Sequence, residues 1–243
     1  MSRLFRKYES YCQRVKDETR DVPMNYLYAA ICHTQYKQYK LARRLFVKAT
    51  LKFVEQPKLW QGAGQPNQMV DSYILANQRH LFPSVNGILK HYKNHENSWT
   101  HWSQYAFAVW QLVKTEDVRA IEFLDAMLTE RNRKEFKVMY AMGLTVQAVA
   151  ERSQEKFDLA LAELIDAHAR AEKWGWYRDT PEGFVCLPGL SLSKLAMERD
   201  LVVNVESEYL PMGYLEYLFR HREEDIKIEE DRPTLLQRWF KRR

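Results

Sequence analysis

Apolar residues recur along this chain at steps of three and four far more than at steps of two, which divides it into a succession of amphipathic helices. Leu4, Tyr8, Tyr11 and Val15 share one face of a first helix over residues 3–18. Asp21-Val22-Pro23 interrupts it, because proline removes a backbone donor and biases its predecessor away from helix, and a second helix starts near Met24. Over residues 26–54 the spacing predicts two antiparallel helices joined by a turn around Tyr36 to Tyr39. The first buries Tyr26, Leu27, Ala30 and Ile31; the second buries Leu41, Ala42, Leu45, Phe46, Ala49 and Phe53.

A loop with Gly62, Gly64 and Trp60 follows at residues 56–66. Helices are then expected over 67–79, 83–92 and 98–113, the last capped by Ser98, carrying Trp99, Trp102, Tyr105 and Trp110, and central to the fold. Thr115 reads as the cap of the next, with Val118, Ile121, Phe123, Leu124 and Leu128 inside. A long hairpin covers 134–152 and 154–173: one arm buries Phe136, Met139, Tyr140, Gly143 and Gln147 or Ala150, the other Phe157, Ala160, Leu161, Leu164, Ala167 and Ala171.

Beyond Trp174 the texture changes. An aromatic, irregular stretch gives way to a Pro181-Glu182-Gly183 turn, a short extended run over 184–187, a helix opened by Pro188, a β-prone stretch over 202–205, and a helix opened by Pro211. Leu235, Leu236, Trp239 and Phe240 form a last apolar stripe. The fold class is therefore all-α, an array of antiparallel helical hairpins with at most a short β-like segment near the C-terminus. One helical domain over 1–243 is expected, divisible into a lobe at 1–56 and a main lobe at 66–243 by the loop at 57–65. Eight glycines and eight prolines, too few for the turns of a sandwich or barrel, agree with this.

The spacing of Tyr26, Ala30, Ala42, Phe46 and Ala49 resembles the aromatic and small positions of a tetratricopeptide repeat. His33 stands at that repeat's usual Tyr position, Val54 at its terminal Pro, and Glu155 at a small-residue position of the later pair, so the array is divergent.

Little here suggests catalysis. No Walker loop, GxGxxG, HExxH or GxSxG occurs. Cys32 and His33 are neighbours whose side chains do not face each other on a helix, and Glu116 with Asp117 sits where a helix start explains it. His91 and His95 have metal-ligand spacing but read as a solvated helix end. No catalytic, cofactor-binding or metal-binding residue is assigned, and no cofactor is expected. Cys12, Cys32 and Cys186 are odd in number and far apart, with no CxxC, which predicts no disulfide framework and fits a reducing cytoplasm. No export signal or membrane span is read.

Charge adds a surface. Residues 1–60 hold 13 Lys and Arg against 5 Asp and Glu, within a chain of net charge +5. Lys40, Arg44, Lys48 and Lys52 form a stripe at four-residue steps whose mutual repulsion invites an acidic counterpart. A protein partner, solvent, and the acidic runs at 223–225 and 229–231 all fit that role. No nucleic-acid motif accompanies the charge. Trp174, Trp176 and Tyr177 form a second candidate, able either to anchor a partner or to plug the space between helix layers.

The block Gly183-Phe184-Val185-Cys186-Leu187-Pro188-Gly189-Leu190-Ser191-Leu192, continuing through Leu195-Ala196 to Tyr209-Leu210-Pro211, resembles the C-terminal pattern of the bacterial immunity protein 49 family. With the hairpins before it, the resemblance runs over most of residues 20–220. It implies a mostly helical protein that binds and neutralises a cognate polymorphic or contact-delivered toxin, with scaffold rather than catalytic residues at the matching positions. The expected partner is that toxin, with neither nucleic acid nor membrane involved and a homodimer left open. The alternative is a helical-repeat adaptor or regulator that recognises a peptide in a concave groove.

Overall fold

The computed structural model describes residues 22–56, 65–93, 101–222 and 224–226. The expected first helix, most of the 57–65 loop, the Ser98 cap and the terminal apolar stripe lie outside them. Among the described residues there are eleven α-helices and no strand: α1 Pro23–Gln35, α2 Tyr39–Glu55, α3 Gln65–Ala76, α4 Phe82–Lys93, α5 His101–Val113, α6 Asp117–Glu122, α7 Glu130–Glu135, α8 Lys137–Glu151, α9 Gln154–Trp174, α10 Leu187–Met197 and α11 Met212–Arg220.

The two hairpins stand where periodicity put them. Pro23 opens α1 in its first turn, where its missing N–H costs nothing. Ala30 and Ala42 are both fully buried where α1 and α2 pack together. The turn closes through Lys37, at φ 59°, with the Gln38 N–H donating to the His33 carbonyl at 2.9 Å. Arg152, at φ 53°, closes the α8–α9 turn the same way: the Ser153 N–H reaches back to the Ala148 carbonyl at 3.1 Å.

Two helix faces and one cap differ from expectation. On α2, Leu41 is 41% exposed whereas Arg43 is fully buried, so the buried face is turned toward Arg43. On α6, Val118 is 76% exposed and Ile121 38% exposed, because this helix is under two turns long and inserts only Ala120. Thr115 is not a helix cap. It takes a left-handed conformation at φ 60°, and Glu116 precedes the helix without a side-chain capping bond.

Among the described residues α10 is the most enclosed helix. Every residue from Leu187 to Ala196 is buried, and its neighbours are α3, α5, α8, α9 and α11. Such all-round burial weakens an amphipathic signal, which is why the helix announces itself by Pro188 rather than by a stripe. Gly189 makes the packing possible: a Cβ there would stand 3.0 Å from Cys186 Sγ, 3.2 Å from Leu210 and 3.3 Å from Ile165.

The β-like segments are not strands. Phe184 has helical dihedrals and α10 has begun by Leu187. Around Val202 the backbone is satisfied by a side chain instead of a neighbouring strand. Gln154 accepts from the Val202 N–H at 2.8 Å and donates to its carbonyl at 2.8 Å. Cys186 is free and buried, whereas Cys32 is disulfide-bonded, a correction to the expectation that the cysteines form no disulfide framework. No helix among the described residues is long and apolar enough to cross a membrane.

Candidate functional site

Three regions are candidates for a functional role: the two surfaces read from sequence, and a polar pocket that the sequence did not reveal.

Lys40 lies exposed on α2, with Arg44, Lys48 and Lys52 partly exposed below it. Lys52 pairs with Glu55 at 2.8 Å, and the Lys48 ammonium sits 5.6 Å from the centre of the Tyr26 ring. Of the acidic run at 223–225, Asp225 faces His80 at 3.8 Å rather than the stripe, and the Glu224 backbone carbonyl accepts from Arg43 at 2.8 Å.

The aromatic cluster divides by direction. Trp174, at the end of α9, is 74% exposed with Lys173 5.1 Å from its ring. Trp176 is 57% exposed and rests between Trp102 and Phe136, at ring distances of 6.1 and 5.8 Å. Tyr177 turns inward onto His168, with ring centres 4.8 Å apart.

Beneath Trp176 lies a cavity of about 400 Å³, bordered by α1, α3, α5, α9 and the segment leading into α10. Asp71 of α3 is 1% exposed, and one of its oxygens accepts from Ser191 of α10 at 2.5 Å and from Tyr105 of α5 at 3.0 Å. Burial with only neutral donors raises its pKa to about 7, the two hydrogen bonds opposing the shift. Glu182 also lines the cavity. Gln68 donates to one of its oxygens at 2.5 Å and Tyr28 to the other at 3.3 Å, while burial raises its pKa.

His168 of α9 is 1% exposed, and neither ring nitrogen has a hydrogen-bond partner among the described residues. Burial drives its pKa down to about 3; the Gly183 backbone opposes this from nearby without meeting hydrogen-bond geometry. The Asn67 side-chain oxygen is likewise buried and unpaired. Asp71, Tyr105, Ser191 and His168 come from four helices, and each alone reads as an ordinary polar residue interrupting an apolar face. Their convergence leaves no signature at fixed spacing. Among the described residues no group of three or more His, Cys, Asp or Glu could hold a metal ion.

A second cavity, of about 640 Å³, lies between α3, the end of α5, α10 and α11. Arg199, in its lining, donates to Asp117 at 2.8 Å and to the Leu112 carbonyl at 2.6 Å. This pair ties the segment after α10 to the start of α6.

The architecture is that of an all-α hairpin array with a buried polar centre and aromatic residues at its surface. The family model for immunity protein 49 matches residues 111–214, so over that stretch the chain is similar to immunity proteins. The match takes in the α8–α9 hairpin, α10, and the Gly183–Leu192 and Tyr209–Pro211 residues that carried the resemblance. No curated protein and no solved structure gives a match.

Proposed function

We propose that this protein is an immunity protein that binds a cognate polymorphic or contact-delivered toxin and neutralises it in the producing cell. The observation that carries this reading is the family match over 111–214, which falls on the most enclosed part of the fold. A rigid helical body of this kind acts by occupying a surface of its partner and needs no reacting groups. Trp174 and Trp176 are large rings exposed at the edge of the matched region, suited to anchoring a partner, with Tyr177 holding the segment from within. The Lys40, Arg44, Lys48 and Lys52 stripe would steer an acidic face of the partner toward the same molecule.

Co-expression with the toxin encoded beside it tests this. The expected result is a complex that survives purification and cells that grow while the toxin is produced. A toxin that neither co-purifies nor loses its effect would overturn the reading.

A further inference from the structure

The polar cavity beneath Trp176 is built in an unusual way for a structural core. Two carboxyl groups face it, Asp71 buried and Glu182 partly so, and among the described residues no Lys or Arg lines it. Among the described residues neither carboxyl has an ion pair; their hydrogen bonds come from Ser191, Tyr105, Gln68 and Tyr28, all neutral donors. A buried carboxyl without a cation is costly when ionised, so it either holds a proton or awaits a positive partner.

Three further observations point to a ligand. His168 and Asn67 are more than nine-tenths buried, line the cavity, and among the described residues leave polar atoms without a geometric hydrogen bond: the imidazole nitrogens, which have the Gly183 backbone nearby, and the amide oxygen. A neutral imidazole and an amide oxygen both offer acceptors, as does the Asp71 oxygen not used by Ser191 and Tyr105. The walls are aromatic, from Tyr28, Trp102, Trp176 and Tyr177, and half-exposed Trp176 stands at the entrance. Surplus acceptors at the floor, negative charge on ionisation and ring faces at the sides together fit a donor-rich cation. The volume of about 400 Å³ accommodates a small ligand or one long side chain.

We infer that this cavity is a binding site for a cationic nitrogen group, an amine or guanidinium, which passes Trp176 and seats between Asp71 and Glu182. Two sources supply that chemistry: a free organic cation, or a Lys or Arg side chain presented by a protein partner. The inference stands apart from the immunity reading, since it rests on the cavity alone.

Calorimetric titration of the full chain with agmatine, and separately with arginine blocked at both ends as acetyl and methylamide, tests it, with n-butanol as the neutral control at matched ionic strength. Saturable binding of a cation and none of n-butanol is expected. Glu182→Gln should weaken binding about tenfold or more, the loss of one charge-assisted hydrogen bond. Asp71→Asn, which keeps an acceptor for Ser191 and Tyr105, should do the same. Should Asp71→Asn fail to fold, Glu182→Gln and loss of the protonated-carboxyl infrared band on cation addition carry the test. Agmatine binding alone assigns a free cation, and binding of blocked arginine assigns a presented side chain. No saturable binding of either cation, or binding unchanged in Glu182→Gln with no infrared change, overturns the proposal.

Discussion

The guanidinium of Arg43, fully buried in α2, donates to the backbone carbonyl of His221 at 2.8 Å, joining positions 178 residues apart. The same group reaches the Ala76, Asn77 and Glu224 carbonyls at 3.1, 3.2 and 2.8 Å. These carbonyls lie at and beyond the C-terminal ends of α3 and α11, where helix carbonyls lack partners and the dipole favours positive charge. Arg43→Met would leave the Ala76 carbonyl without its side-chain donor and take one donor from each of the others, which keep bonds from the Gln78 side chain (Asn77 and Glu224) and from the Glu224 N–H (His221). We expect it to lower stability by about 1–3 kcal/mol in urea denaturation. Arg43→Lys keeps the charge without the fork and should recover only part. In hydrogen exchange, α11 should lose protection first; unchanged protection there would show that Arg43 does not hold it.

Asp71 and His168 set opposed pH dependences. Asp71 has a folded pKa of about 7 against an ordinary 3.8, so in that window the folded state holds more protons and stability falls as pH rises. Raised Glu182 works in the same direction. His168 has a folded pKa of about 3 against an ordinary 6.5, so stability falls as pH drops through that window. The ceilings are similar, roughly 4 and 5 kcal/mol, and the two slopes oppose each other between about pH 4 and 6.5. Relative to wild type, Asp71→Asn should lose stability on acidification across that range, and His168→Phe should lose it as pH rises. Urea midpoints at a series of pH values read both; profiles parallel to wild type in both variants would refute the assignment.

The hairpins and the helices opened by Pro23, Pro188 and Pro211 were legible because period and proline act locally. Arg43 was not: a charged residue one step from Ala42 reads as solvated, and only the ends of two distant helices explain its burial. Nor was Gln154 visible as the group that satisfies Val202, since β propensity says where a chain can extend but not which partner its backbone finds. The cavity was hidden for the same reason. Asp71, His168 and Glu182 are separated in sequence, and tertiary packing alone brings them to one space. Trp174 and Trp176 were legible as a cluster, but their outward direction, opposite to that of Tyr177, was not.

Gly189 should resist substitution despite lying in a helix. Alanine there gains up to about 1 kcal/mol of helix propensity, but its methyl would press on Cys186 Sγ at 3.0 Å and Leu210 at 3.2 Å. Overpacking of a close-packed interior costs about 1–3 kcal/mol, so Gly189→Ala should be destabilising by roughly 1 kcal/mol net. Adding Cys186→Ala removes the nearest clashing atom. The double variant should therefore be more stable than the sum of the two single changes; strict additivity would mean that the Cys186 contact is not what excludes the methyl.

The two proposed contact surfaces should fail in different ways once a toxin complex is in hand. Lys40 and Arg44 lie on the outer side of α2, where charge acts over distance and is screened by salt. The double variant Lys40→Glu, Arg44→Glu should slow association about tenfold at low ionic strength, with little change in dissociation, and the gap should close as salt rises. Trp174 is a large ring with 74% of its surface exposed, so a partner that buries it gains apolar area at one point. Trp174→Ser should instead speed dissociation, by about thirtyfold for a 2 kcal/mol anchor, and salt should not restore it. Because both sites are surface positions, neither variant should move the unfolding midpoint by more than about 0.5 kcal/mol. Surface plasmon resonance at two salt concentrations separates the outcomes. Rates equal to wild type in both variants would place the toxin on another face of the molecule.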